Sequence, residues 1–127
     1  MKPETENWLK IARNELKTAK VLFREELYLK VIEHSHAALE KIIKGLIVEH
    51  NQSPPKIHNL SKLSSIVLIK NVQEDFKSTF EEIDDLYFSV RYPEDFEEIQ
   101  ARLSKEKVSK IFDKVQGIYK MLEKNLQ

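Results

Sequence analysis

The sequence predicts an all-α fold, an up-down antiparallel bundle of four long helices plus one short helix in a single domain over residues 1–127. Three observations predict it. Apolar residues recur at three- to four-residue spacing along most of the chain, which is the period of an amphipathic helix. The 127 residues are 33% charged and include only two glycines, which is typical of soluble helical proteins. One uninterrupted helical pattern, residues 28–51, is apolar over so broad a face that other helices must cover it.

The first helix is expected to begin at Thr5, a suitable N-cap, and to end near Glu25. Its apolar stripe consists of Trp8, Ala12, Leu16, Ala19 and Phe23. Only residues 26–28 separate it from the next helical pattern. So short a link predicts an antiparallel hairpin of the first two helices.

The second helix spans Tyr28 to about Asn51 and should lie in the middle of the bundle. Pro54 and Pro55 follow it and cannot continue a helix. Small residues along this helix would let neighbouring helices approach closely; they are Ser35, Ala38 and Gly45.

A short third helix is expected from the N-cap Asn59 to about Asn71, and a fourth from about Val72 to Val90. Pro93 ends the fourth helix.

Residues 94–103 form a loop or a short helix, and Ser104 caps the last helix. Three apolar side chains of this segment are expected to point inward, namely Phe96, Ile99 and Leu103.

Composition excludes several classes of function. Lysine plus arginine and aspartate plus glutamate each total 21. The chain therefore lacks the basic excess that a broad phosphate-binding surface normally has. The absence of cysteine excludes disulfides, thiolate nucleophiles and Cys-ligated metals. No apolar run has the length of a membrane span, and the N-terminal residues lack the apolar region of a signal peptide. We therefore expect a cytoplasmic protein without a cofactor.

Four short motifs follow one another along the chain. They are Glu15-Leu16 with Ala19, Ala38-Leu39-Glu40-Lys41 with Lys44 and Leu46, Pro55-x-x-His58-x-Leu60 with Leu63, and Arg91-Tyr92-Pro93. Together they resemble the signature of the HEPN domain family over about residues 8–120. The resemblance implies a helical bundle that forms a homodimer. It also implies a minimal nucleotidyltransferase as partner, in a toxin-antitoxin or two-component type system.

The same resemblance implies one of two activities. Many members of the family are metal-independent endoribonucleases that use an Arg-x(4–6)-His motif at the end of the fourth helix, composed across the dimer. Others lack this motif and bind a nucleotide or a partner protein.

The ribonuclease motif is absent from this sequence. A histidine after Arg91 would have to occupy the positions of Phe96, Glu97 or Glu98, and no other arginine has a histidine at the required distance. RNA cleavage without a metal needs a general base and acid, which imidazole supplies near neutral pH. The sequence therefore favours a non-catalytic or weakly nucleotide-binding module that acts with a separate nucleotidyltransferase-type partner. The alternatives are a degenerate ribonuclease that uses Arg91 with Tyr92 or His36, and a purely structural interaction protein.

Arg91 and Tyr92 are the first candidate site residues. The guanidinium could hold a phosphate by two parallel hydrogen bonds, and Tyr92 could stack on a base. The structural alternative is that Arg91 pairs with a carboxylate such as Glu40 or Asp85.

A second candidate group lies on the second helix. His36, Glu40 and Lys44 are spaced i, i+4 and i+8 and form one polar line, with Lys41 beside it. This line is interpreted as a nucleotide- or partner-binding edge that meets Arg91. The alternative is a solvated stripe that only stabilises the helix.

The histidines do not predict a metal site. His34 and His36 point about 200° apart on a helix, and His36 with Glu40 supplies only two ligands. The ring nitrogens of His58 are expected to bond the loop that carries this residue to a helix end.

The run Leu86-Tyr87-Phe88 is more apolar than one face of the fourth helix can bury. Either Tyr87 or Phe88 should therefore face outward, at a dimer interface or a partner-binding surface.

Overall fold

The computed structural model describes residues 1–67, 74–92 and 96–126. Within these ranges the fold is all-α, with six helices and no strand. The helices are α1 (Pro3–Arg24), α2 (Tyr28–Glu49), α3 (Leu60–Ile66), α4 (Glu74–Arg91), α5 (Phe96–Arg102) and α6 (Lys105–Lys124). Four of them have 18 to 22 residues, while α3 and α5 have seven each. This confirms the predicted fold class. Residues 94–103, predicted as a loop or a short helix, contribute α5.

Helices α1 and α2 form the predicted hairpin, and they pack closely. A Cβ atom added to Gly45 on α2 would lie 3.1 Å from the Cβ of Trp8 on α1. Gly45 therefore provides the close approach that its size predicts.

The predicted N-cap of α1 is wrong. The helix begins at Pro3, whose fixed φ suits the first helical position, and Lys2 is the N-cap. Thr5 is fully buried inside the first turn, and its hydroxyl donates a 3.0 Å hydrogen bond to Glu49 at the end of α2. The hydroxyl serves a contact between helices rather than a cap.

Helix α2 is the central helix of the bundle. It contacts α1, α3, α4 and α6, and 14 of its 22 residues are buried. Its breadth of apolar surface predicted this position correctly.

The start of α3 is fixed by two side chains, Asn59 and Asp84. Asn59 accepts a 2.8 Å hydrogen bond from the backbone N–H of Lys62, which confirms the predicted cap, and Asp84 accepts from the backbone N–H of Leu60 at 2.9 Å. The helix ends at Ile66 rather than near Asn71, because Val67 has an extended backbone. The predicted junction between Asn71 and Val72 lies outside the described residues.

Ser104 caps α6 as predicted, since its hydroxyl accepts from the backbone N–H of Lys107 at 3.2 Å. Ile99 and Leu103 are buried, but Phe96 is 50% exposed, so its predicted inward position is wrong. Phe96 is the first residue of α5 and lines a groove of about 270 Å³ with Leu27, outside the core.

A search of the helices within the described ranges finds none that is long and apolar enough to cross a membrane.

Candidate functional site

An open pocket of about 310 Å³ lies between α2, α4 and the loop that precedes α3. It is lined by His36, His58, Tyr87, Phe88, Arg91 and Tyr92. Five of these six were candidate site residues from the sequence, and His58 was not. The remaining candidates, Glu40, Lys41 and Lys44, do not line the pocket.

Arg91 is held by Tyr87, one helical turn earlier on α4. Its guanidinium carbon lies 5.1 Å from the centroid of the Tyr87 ring, and Nη1 donates a 2.6 Å hydrogen bond to the Tyr87 hydroxyl. No carboxylate in the described part of the chain pairs with Arg91, so the alternative of a pair with Glu40 or Asp85 is not formed. The guanidinium has five N–H groups, and within the described residues one of them is bonded, to the Tyr87 hydroxyl.

His36 lies beneath Tyr87. The two rings stack at a centroid distance of 3.8 Å and an interplanar angle of 5°, and His36 is only 2% exposed. Its Nε2 lies 3.2 Å from Oδ1 of Asp84. Its Nδ1 is buried and has no hydrogen-bond partner within the described ranges, while Oε1 of Glu40 lies 3.8 Å from it, beyond hydrogen-bonding distance. A buried polar atom without a hydrogen bond costs about 1–3 kcal/mol.

Asp84 on α4 connects His36 to the start of α3. Its carboxylate accepts from the backbone N–H groups of Leu60 at 2.9 Å and Ser61 at 3.2 Å. Burial acts to raise the pKa of Asp84, but the hydrogen bonds from His36, Leu60 and Ser61 outweigh it, so the pKa lies below its ordinary value. The ionised carboxylate only accepts hydrogen bonds, and Nε2 of His36 therefore carries a proton.

Glu40 is the centre of a second cluster, directly behind the pocket. One of its oxygens accepts from Nζ of Lys44 at 2.9 Å and from Nζ of Lys41 at 3.3 Å. Glu40 and Lys44 are 3% and 6% exposed, so the alternative of a solvated stripe is wrong for these two residues. Burial acts to raise the pKa of Glu40, but hydrogen bonds from Lys44 and His58 and the charge of Lys41 lower it overall.

The two lysines face α1 rather than the pocket. Nζ of Lys41 and Nζ of Lys44 each lie 5.9 Å from the ring centroid of Trp8. The close approach of α1 to α2 beside Gly45 covers this part of the polar line. Only its first residue, His36, therefore meets Arg91 in the pocket.

His58 joins the loop to the middle of α2. Its Nδ1 lies 3.2 and 3.3 Å from the two carboxylate oxygens of Glu40, while 65% of its side chain is exposed. The expectation that His58 contacts a helix end is therefore wrong. Glu40 and His58 are 18 positions apart and on different elements, so no periodic pattern could have revealed the contact.

A second pocket of about 330 Å³ lies on the other side of Tyr87 and Arg91. It is lined by Glu15, Glu33, His34, Ala37, Tyr87 and Arg91. Nδ1 of His34 lies 2.6 Å from Oε2 of Glu15. No group of three or more possible metal ligands occurs among the described residues.

The comparisons with known proteins assign the chain to a family. The model of the HEPN domain matches residues 5–125, so the chain belongs to the HEPN family. No curated protein matches it.

Two solved structures share the fold. The protein TT1696 from Thermus thermophilus is 21% identical, with a TM-score of 0.83 over 97% of this chain and 98% of that chain. ST0689, described as an archaeal HEPN homologue, is 21% identical, with a TM-score of 0.77 over the whole of both chains. At this level of identity the likeness shows a common fold.

Proposed function

We propose that this protein is a non-catalytic HEPN module that binds a nucleotide in the pocket between α2 and α4. The observation that carries the proposal is Arg91, which is held over Tyr87 and lacks a carboxylate partner within the described ranges. An arginine so placed offers parallel N–H groups to a phosphate.

The other walls of the pocket suit the rest of a nucleotide. Tyr92 is 64% exposed and offers an aromatic face to a base. A volume of about 310 Å³ is at the lower end of the range for small-molecule sites, which favours one nucleotide unit over a longer chain.

Calorimetric titration with AMP and with ATP tests the proposal. We expect the native protein to bind at least one of them, and Arg91→Ala to weaken binding about 10- to 100-fold, because charge-assisted hydrogen bonds to phosphate are lost. Arg24→Ala is the matched control, since Arg24 also lies in the last turn of a helix but away from the pocket. No heat with the native protein, or equal loss in both variants, would contradict nucleotide binding at Arg91.

The partner half of the proposal is that the protein acts as a homodimer with a minimal nucleotidyltransferase, in a toxin-antitoxin or two-component type system. Membership of the HEPN family supports it. Co-expression with the product of the neighbouring open reading frame, followed by purification through a tag on one protein only, tests it. A nucleotidyltransferase that fails to co-purify contradicts the partnership.

A degenerate ribonuclease is the second candidate, and one observation favours it. The exposed imidazole of His58 lines the same pocket as Arg91, although no histidine follows Arg91 at the required spacing. We rank it second because cleavage needs both a base and an acid, and the other imidazole of this pocket, His36, is buried beneath Tyr87.

Incubation of total RNA with the native protein, Arg91→Ala and His58→Ala decides between the two functions. We expect no cleavage by any of them. Cleavage that both variants abolish would replace the binding module with a ribonuclease. If neither cleavage nor nucleotide binding is found, the third candidate, a purely structural interaction protein, is left.

A further inference from the structure

We propose that His58 is the second anchoring residue of this pocket, and that it accepts a hydrogen bond from a ribose hydroxyl of the nucleotide whose phosphate lies on Arg91. The inference rests on the proposed function and makes it more specific. It predicts that the pocket distinguishes ribonucleotides from nucleotides without ribose hydroxyls.

The contact with Glu40 determines which ring nitrogen of His58 carries the proton. The buried carboxylate of Glu40 lies 3.2 and 3.3 Å from Nδ1 and is held ionised by its lysine partners. An ionised carboxylate can only accept, so Nδ1 of His58 must donate. A neutral imidazole has one N–H group, and its Nε2 is therefore a hydrogen-bond acceptor.

The same contact holds the ring of His58 in place. Its side chain is 65% exposed, yet Nδ1 bonds to a carboxylate that is itself fixed by Lys44 at 2.9 Å. Glu40 and Lys44 are both buried within α2, the central helix. His58 is thus positioned by the core of the protein, although it lies on a loop.

The hydrogen-bond donors and acceptors of the pocket match those of a nucleotide. Phosphate oxygens accept hydrogen bonds, which suits Arg91 but not an accepting Nε2 of His58. The donors of a nucleotide are its ribose hydroxyls and, depending on the base, an exocyclic amino group or a ring N–H group. The ribose links the phosphate to the base, so a phosphate on Arg91 and a base on Tyr92 leave the hydroxyls for His58.

Calorimetric titration with three ligands at about pH 8 tests the assignment. The ligands are AMP, 2′,3′-dideoxy-AMP, which lacks both hydroxyls, and purine riboside 5′-monophosphate, whose base has no N–H group. We expect the native protein to bind AMP and purine riboside 5′-monophosphate equally and dideoxy-AMP about 3- to 10-fold more weakly, as for one lost hydrogen bond.

Variants assign this preference to His58. In His58→Ala, AMP should bind as weakly as dideoxy-AMP binds the native protein, and the preference between them should disappear. His58→Phe keeps a ring but removes the acceptor, and it should behave in the same way. His50→Ala is the matched control, because Nδ1 of His50 bonds to the carbonyl of Leu46 on the adjoining helix, outside the pocket.

Each other outcome overturns a defined part of the account. If the native protein binds AMP and dideoxy-AMP equally, the role of His58 is wrong and nucleotide binding stands. If purine riboside 5′-monophosphate rather than dideoxy-AMP binds weakly, the donor is the amino group of the base, and the ribose assignment is wrong. If a preference for AMP survives in both His58 variants, another residue causes it. If no ligand binds, the proposed function and this inference both fail.

Discussion

At the scale of single residues, two buried carboxylates organise the pocket. Asp84 holds His36 and the first N–H groups of α3, while Glu40 holds His58. Both carboxylates accept hydrogen bonds, and these bonds offset the desolvation free energy of a buried charge. The groups that face solvent, His58 and Arg91, are thereby supported from within the bundle.

These carboxylates should make the stability of the protein depend on pH. The pKa values of Glu40 and Asp84 lie below their ordinary values of 4.5 and 3.8, so the folded state binds fewer protons than the unfolded state as the solution becomes acidic. Their contribution is fully present above the ordinary values and is lost as pH falls through the lowered ones. We expect the free energy of unfolding, from guanidinium chloride titrations, to decrease steadily between about pH 5 and pH 3.

Asp84→Asn should lower the free energy of unfolding at neutral pH and should make it depend less on pH in acid solution. At neutral pH we expect a loss of about 1–3 kcal/mol, because an amide cannot replace a charged acceptor for the N–H groups of Leu60 and Ser61. Below about pH 5 the variant should lose stability less steeply, since one titrating group is gone. Glu97→Gln, at an exposed residue of α5, is the control. A variant as stable as the native protein at neutral pH would show that Asp84 does not fix α3.

The candidate residues on α4 and just after it could be predicted from two signals in one stretch of the chain. One signal is the Arg-Tyr-Pro motif, and the other is a run of aromatic residues that one helix face cannot bury. Tyr87, Phe88, Arg91 and Tyr92 all line the pocket. The pair of Glu40 and His58 could not be predicted in this way, since it depends on the path of the loop after α2. Helical periodicity carries no information on that path.

At the scale of the elements, the two glycines have opposite surroundings. A Cβ atom at Gly45 would lie 3.1 Å from the Cβ of Trp8, whereas one at Gly117 on α6 would meet nothing within 4 Å. Gly45 is thus a packing position, and Gly117 is an exposed site inside a helix.

Alanine at each glycine should therefore have different effects. Gly117→Ala should raise the free energy of unfolding by about 0.5–1 kcal/mol, because glycine disfavours helix interiors. Gly45→Ala should lack this gain or lower stability, since α1 must move away from α2. Thermal and chemical unfolding of both variants against the native protein provides the measurement. A gain at Gly45 equal to that at Gly117 would show that the two helices tolerate the extra methyl group.

Element positions were predictable where one strong local signal dominates. The caps Asn59 and Ser104 and the short link between α1 and α2 are all confirmed. Thr5 shows the limit of such signals, because its hydroxyl bonds to Glu49 from the far end of α2. A cap and a tertiary partner look alike in the sequence when the residue is polar and lies near a helix start.

At the scale of the whole molecule, the proposed homodimer would use the exposed side of α4. The sequence predicted that either Tyr87 or Phe88 faces outward, and Phe88 is 59% exposed there. Static light scattering should give twice the 15.0 kDa mass of one chain for the native protein and the mass of one chain for Phe88→Lys. Val21→Lys is the control, since Val21 on α1 is 46% exposed. A native monomer, or a dimer unaffected by Phe88→Lys, contradicts this interface.

A nucleotide bound between His58 and Arg91 is the common requirement of both proposals. The chain has only four histidines, so nitrogen-15 NMR spectra of the imidazole and guanidinium side chains, recorded during titration with AMP, test it most directly. We expect the Nε2 resonance of His58 and the Nε resonance of Arg91 to shift with the same saturation, while those of His50 stay fixed. Saturating AMP that leaves His58 and Arg91 unchanged would contradict the account.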